Sequence, residues 1–327
     1  MNVRVASIKR NLHYDLLRIL ACVMVICIHA PMPHKGWYGP LLSGLSYLCA
    51  PSIGLFIMIS GALLLHKSSQ DNFDTRSFLS KRFGKILWPT LFWYALGYIL
   101  RFCGIPNGEY GVIWFMFMLS GLYLLVPILS RWLRAASRKE VEFYLTLWCV
   151  TLCYPFFKLF FKMNEGTSSW IYYFNGFVGY FVLGYYLTVY PVRRSFKIGL
   201  YILFALLSIA FPAVSLLFHF KLKFYSFFWY LSLSVVLQCI VWWFFAKRVS
   251  HLFEPARSVI EFLSRYSFGV YLVHILILRK FIWQIGWIQS LPGYLQIIVC
   301  VVLTYVLSLL ACWCISKSRV GKYIIGV

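Results

Sequence analysis

The stretch DLLRILACVMVICIHA, residues 15–30, decides how this chain is read. It is an apolar run carrying three ionisable residues, Asp15, Arg18 and His29. With its flanks it gives an apolar segment over 14–33, about the 20 residues that a helix needs to cross a bilayer core of about 30 Å. Asp15 and Arg18 are three apart and share a helix face. Arg18 and His29 are eleven apart, close to three full turns, so they share that face about 16 Å apart along the axis. Ionisable groups inside a span are costly and read as functional by default. Taken singly, Arg18 suits a snorkelling flank residue and His29 an interhelical hydrogen bond. Their common face, with Asp15 below, instead predicts a polar path from the cytoplasmic edge to about mid-membrane.

The rest of the chain repeats this apolar character. Of 327 residues, 61% are hydrophobic and only 12% charged, and the mean hydropathy is +0.77. Soluble domains run near 45–50% apolar and about 25% charged. Nine further spans follow at 45–66, 86–105, 112–130, 142–161, 170–190, 196–217, 224–245, 259–278 and 293–315. Strand-type alternation is lacking, which argues against an outer-membrane barrel. The expected fold is an all-α bundle of about ten transmembrane helices, a single membrane domain over 1–327, with both termini cytoplasmic.

A net charge of +22 raises nucleic acid as a partner. The distribution of the charge argues for a membrane instead. With a cytoplasmic N-terminus, the inner segments carry 22 Lys and Arg and the outer ones 8, with Arg18 inside the first span. That asymmetry is the positive-inside rule, and basic loops facing anionic lipid account for the charge. Most of the ten cysteines lie within the spans, where free thiols behave as small hydrophobes. No CxxC pair suggests a metal or redox centre, and no metal ligand set is expected. Ile19-Leu20-Ala21-Cys22 faintly resembles a lipoprotein cleavage box, but the apolar run continues past Cys22, so the first helix reads as uncleaved.

Two other places carry candidate chemistry. The ninth span, SRYSFGVYLVHILILRK, puts His274 near mid-membrane, where it could converge with His29 or serve a structural hydrogen bond. The segment FLSKRFGKILWPTLFWY places Lys81, Arg82 and Lys85 just before the third span. Arg82 and Lys85 are three apart and face the same way on a helix. Such a cluster suits an anionic phosphate ligand, although ordinary positive-inside charge would look similar.

Six blocks in order resemble the acyltransferase 3 family of membrane acyltransferases. They are Arg18-x10-His29; PSIGLFIMISGALLL with Pro51, Phe56, Ser60 and Gly61; the basic segment with Arg82, Lys85 and Pro89; WFMFMLSGLYLLVPIL with Trp114, Gly121, Leu122, Tyr123 and Pro127; GYFVLGYYL at 179–187; and YSFGVYLVH at 266–274. The resemblance implies transfer of an acyl group, usually acetyl, from cytoplasmic acyl-CoA to a hydroxyl of a surface or envelope glycan, in a bacterial cytoplasmic (inner) membrane. Acyl-CoA enters as a donor substrate, and no permanently bound cofactor is implied. The family's first-helix residues fall on Arg18 and His29, and its loop basic residues on Arg82 and Lys85. Three departures stand out. Lys85 occupies a position where Arg is commoner, Val112 stands where many relatives carry His, and the sequence leaves no room for the esterase-like domain of some relatives.

On this reading Arg82, Lys85 and Lys81 hold donor phosphates, and the donor's arm runs past Arg18 towards His29. Asp15 fixes Arg18 by a charge-assisted hydrogen bond. A sugar hydroxyl needs a base as it attacks, and neutral imidazole suits that task. His29 is the first choice as base, and it could instead accept the acyl group itself. His274 or Ser60 would orient His29 or bind the acceptor, a glycan or lipid-linked sugar. Tyr271, Trp114 and Glu109 complete the supporting set. Outer-end aromatics such as Trp37, Tyr38, Tyr110, Trp170, Tyr172, Tyr173 and Trp229 fit an interfacial belt or a sugar-stacking surface. The rival class is a transporter or flippase for a glycan or lipid-linked sugar. Against it, Asp15 and Glu261 sit at inner ends, and no inverted repeat of broken helices is seen. Nothing in the sequence sets the oligomeric state.

Overall fold

The computed structural model describes residues 10–32, 45, 47–68, 73–102, 113–154, 171–217 and 230–327. Glu109, Val112 and the aromatic residues Trp37, Tyr38, Tyr110, Trp170 and Trp229 lie outside the described residues. So do parts of the expected first, second, third, fourth, fifth, sixth and eighth spans.

Among the described residues the secondary structure is wholly helical, as an apolar environment without water demands of the backbone. In chain order the helices are α1 (Leu12–His29), α2 (Ser52–Ser68), α3 (Thr75–Phe102), α4 (Ile113–Ala135), α5 (Arg138–Thr151), α6 (Ile171–Phe174), α7 (Val178–Val189), α8 (Arg194–Leu217), α9 (Leu233–Val249), α10 (Arg257–Arg265), α11 (Ser267–Lys280), α12 (Gly286–Ser290), α13 (Gly293–Ile315) and α14 (Arg319–Ile325). Among the described residues five segments are long and apolar enough to cross a membrane: Leu12–His29, Tyr47–Leu65, Ile113–Ala135, Leu233–Arg265 and Gly293–Ile315.

Helix α1 is the hub, packed against α2, α9, α10, α11 and α13. It starts at Asn11, whose side-chain oxygen accepts from the His13 backbone N–H at 3.2 Å, a standard N-terminal cap. The tightest packing joins α2 to α7. Gly61 faces the Phe181 carbonyl and Gly184 faces the Met58 carbonyl, with no space at either for a Cβ. This reciprocal glycine contact lets two backbones approach closely, the usual device of membrane helix interfaces. Elsewhere the bundle turns large apolar groups outward, among them Trp88, Leu91 and Tyr98 on α3 and Ile298 and Val302 on α13. In a membrane protein such faces meet lipid.

Two helices differ from their expected boundaries in ways that matter for function. Helix α3 runs 28 residues and begins at Thr75, so the basic segment belongs to the helix itself. Its length of about 42 Å exceeds a bilayer core, which leaves its first turns outside. Pro89 lies within it and cannot donate to the Lys85 carbonyl. The expected ninth span, 259–278, is two helices: α10 ends at Arg265 and α11 starts at Ser267. Serine hydroxyls stabilise the break by offering side-chain partners to the backbone. Ser267 Oγ donates to the Ser264 carbonyl at 2.8 Å. Elsewhere, α5 opens with a capping box in which the Ser137 N–H donates to Glu140 at 2.6 Å. That bond holds the Glu140 carboxyl below its ordinary range.

Candidate active site

The Arg18 end of α1 is built around one buried carboxylate. Asp15 has no exposed surface. Its Oδ1 accepts from Arg10 Nη2 at 2.6 Å, Arg10 Nε at 2.9 Å, Arg18 Nη1 at 3.0 Å and Ser264 Oγ at 2.6 Å. A buried charge needs both a counter-charge and hydrogen bonds, and Asp15 has both. Arg10 is held in turn, since Arg257 Nη1 donates to its carbonyl oxygen at 2.8 Å. The predicted Asp15–Arg18 contact is therefore present, within a wider network that ties α1 to α10.

Only one Arg18 nitrogen is recorded on Asp15, and Arg18 lines two adjoining cavities. The larger, about 820 Å³, is bounded by Arg10, Asn11, Tyr14, Lys85, Arg265 and Val327 among others. The smaller, about 250 Å³, reaches inward past Arg82, Ser60, Tyr123, Phe56 and Phe115. Both share Arg18, Lys85, Ser267, Phe268 and Gly326 as walls. Both are basic, the larger through Arg10, Arg18, Lys85 and Arg265 and the smaller through Arg18, Arg82 and Lys85, and the smaller adds the apolar side chains Phe56, Ile59, Phe115 and Leu119. Gly326 adopts a left-handed φ of 68°, and it packs against Phe268 and the Lys85 carbonyl that Pro89 leaves without a helical donor.

The basic residues expected on α3 divide. Arg82 and Lys85 face the cavities, whereas exposed Lys81 lines neither. One helical turn separates Lys81 from Lys85, but their neighbours differ. Arg82 also lies over the Phe78 ring at 5.8 Å. Ser60 Oγ donates to the Phe56 carbonyl at 2.9 Å and lines the same cavity wall as Tyr123. It belongs to the smaller cavity.

At the other end of α1, His29 occupies the last turn. Its ring centroid lies 5.5 Å from that of His274 on α11, so the two histidines do converge. His274 has no exposed surface, and its Nδ1 lies 2.6 Å from the Tyr271 carbonyl. The Tyr271 ring packs on Phe115 at 5.0 Å and Phe56 at 6.2 Å. Those two phenylalanines also line the smaller cavity. One aromatic layer therefore separates the cavity from the histidine pair. Trp114 adjoins that layer, edge-on to Phe115 at 6.2 Å, and is stacked on Tyr230 at 5.8 Å and tilted on Phe177 at 5.8 Å. It is 38% exposed.

Four residues here escaped the sequence reading: Arg10, Ser264, Arg265 and Tyr123. Arg10 and Arg265 looked like ordinary inner-loop charge. Tyr123 lay in a recognised block, and its position between Arg18, Arg82 and Ser60 depends on how α1, α2, α3 and α4 meet. No group of three or more potential metal ligands occurs among the described residues.

These features define a membrane-embedded helical bundle with a basic entrance and a histidine pair, His274 buried and His29 half-buried, joined by one helix. The chain belongs to the acyltransferase 3 family, whose model, described as an acyltransferase domain, matches residues 11–317. No curated protein and no solved structure matches it. It is a membrane acyltransferase.

Proposed function

We propose that this chain moves an acyl group, in the first instance acetyl, from cytoplasmic acyl-CoA to a hydroxyl of a cell-surface or envelope glycan. The reading includes about ten spans, both termini in the cytoplasm and residence in a bacterial inner membrane. One observation carries it. A single face of α1 brings Arg18 to a basic double cavity and His29 to a second histidine about 16 Å further along. Acyl-CoA has a phosphorylated head and a long thin arm that ends in the reactive thioester, and it matches that layout in charge and in shape.

In this mechanism Arg82 and Lys85 engage the phosphates, with Arg10 and Arg265 at the rim of the larger cavity. Guanidinium groups favour bidentate contacts, whereas Lys85 acts as a point charge. Asp15 and Ser264 hold Arg18 in place beside the arm. The thioester reaches His29 past the smaller cavity's apolar walls. His29 takes the proton of the acceptor hydroxyl as its oxygen attacks the thioester carbonyl. The carbon–sulfur bond breaks, and the proton passes to the departing thiolate.

The test is transfer of labelled acetyl from acetyl-CoA by purified protein in lipid nanodiscs. Wild type should label the membrane glycan fraction. His29→Ala should lower transfer by at least ~100-fold, the usual worth of a general base, while it inserts and expresses normally. Full activity in that variant would remove the base assignment. Transport of the glycan with no acyl transfer by wild type would remove the whole reading.

A further inference from the structure

His274 has a bonding pattern that settles which of its nitrogens is available. Its Nδ1 lies 2.6 Å from the Tyr271 carbonyl oxygen, three residues back on the same helix. A carbonyl oxygen only accepts, so Nδ1 carries the hydrogen. An imidazole with hydrogen on Nδ1 is either neutral, with Nε2 bare, or a cation. A cation is disfavoured here, because the side chain has no exposed surface and lies against the imidazole of His29. Nε2 is thus a lone-pair acceptor. It is completely buried and has no hydrogen-bond partner among the described residues. Because Nδ1 is turned back onto α11, the opposite edge of the ring faces away from that helix. Helix α1 packs against α11, and the His29 ring is 5.5 Å away, centroid to centroid.

We infer that His274 is the positioning residue for His29: the two rings are adjacent but not hydrogen-bonded in this structure, and a turn of the His29 ring brings its N–H that points away from the substrate onto the bare His274 Nε2. This deepens the proposed reaction and rests on His29 as its base. A histidine base has two ring nitrogens, and only the one without hydrogen can take a proton. An acceptor behind the ring fixes the hydrogen on the far nitrogen and leaves the near one free for the hydroxyl. It also stabilises the imidazolium that forms during attack. A carboxylate commonly fills this role. Here a neutral imidazole, itself oriented by a backbone carbonyl, supplies the lone pair without burying a further charge. Tyr271, which packs against Phe56 and Phe115, also holds the His274 ring from the cavity side at 5.7 Å between centroids.

Two isosteres separate this role from a merely structural one. In His274→Asn the amide nitrogen keeps the bond to the Tyr271 carbonyl and the Nε2 acceptor is lost. In His274→Gln the longer side chain puts an oxygen near the Nε2 position. The inference expects His274→Gln to stay within about fivefold of wild-type kcat and His274→Asn to fall about 10- to 100-fold, with the donor KM unchanged in both. Wild-type kcat in His274→Asn, or equal loss in both variants with intact donor binding, overturns it. A second reading needs no variant of His274 to fold. In wild-type protein labelled with nitrogen-15 histidine, His274 Nε2 should resonate as a bare ring nitrogen and shift when His29 is replaced by Phe. A protonated Nε2, or no shift, also overturns it. If His29→Ala stays fully active, the base reading itself has failed. If His29→Ala is inactive and His274→Asn is normal, only the positioning role has.

Discussion

The two ends of α1 differ in how many polar contacts they make, although each holds one buried atom with no hydrogen-bond partner among the described residues, Asp15 Oδ2 at one end and His274 Nε2 at the other. At the Arg18 end one carboxylate oxygen gathers four short hydrogen bonds from three side chains. At the His29 end a fully buried ring nitrogen of His274 has none among the described residues. The first arrangement fixes charge in place, because a buried ion that lost a partner would cost several kcal/mol. The second leaves a lone pair ready for a partner that arrives or turns during the reaction. On the proposed reading, rigidity falls where the anionic donor is bound and the open valence falls where a proton moves.

The sharpest way to break this contrast is to loosen the rigid end. Asp15→Asn removes the charge that Arg10 and Arg18 share and should cost roughly 2–4 kcal/mol of stability. Transfer activity should fall with it. Thermal unfolding in detergent, followed with a transfer assay, checks both. If unfolding and activity stay at wild-type values, the network is dispensable and the two ends do not differ as described.

The next largest effect concerns the basic entrance. Arg82→Ala and Lys85→Ala should each raise the donor KM by about tenfold, and high salt should narrow the difference from wild type. Lys81→Ala should leave donor affinity within about twofold, because Lys81 lines neither cavity. Titration of acetyl-CoA by calorimetry distinguishes them, and equal losses at Lys81 and Lys85 would show that general positive charge, rather than the cavities, holds the donor. A smaller change tests the frame around the site. Gly61→Ala pushes a methyl group at the Phe181 carbonyl and should lower stability by about 1–3 kcal/mol. Because Gly61 adjoins Ser60, donor affinity should weaken modestly as well, which a melting curve with and without acetyl-CoA would reveal.

Much of the site was legible along the chain because it lies on one helix. Spacing alone put Asp15, Arg18 and His29 on a common face, and composition alone made the chain a membrane protein. Spacing paired Arg82 with Lys85, whereas Lys81 joined them only by adjacency in the sequence, which does not register that Lys81 lines neither cavity. The break at Tyr266 was hidden because the apolar pattern runs through it, while Ser264 and Ser267 stabilise the kink with side-chain bonds that hydropathy does not register.

By itself, then, the sequence determined the helical class, the membrane setting, the family and the polar face of α1. Each follows from local periodicity, composition or an ordered set of motifs. Tertiary structure decided which distant residues meet: Arg10 and Ser264 on Asp15, Tyr123 between the arginines, and His274 against His29 with its Nδ1 already engaged. Those contacts join residues up to about 250 positions apart. They depend on how helices pack, which periodicity within a single helix does not specify.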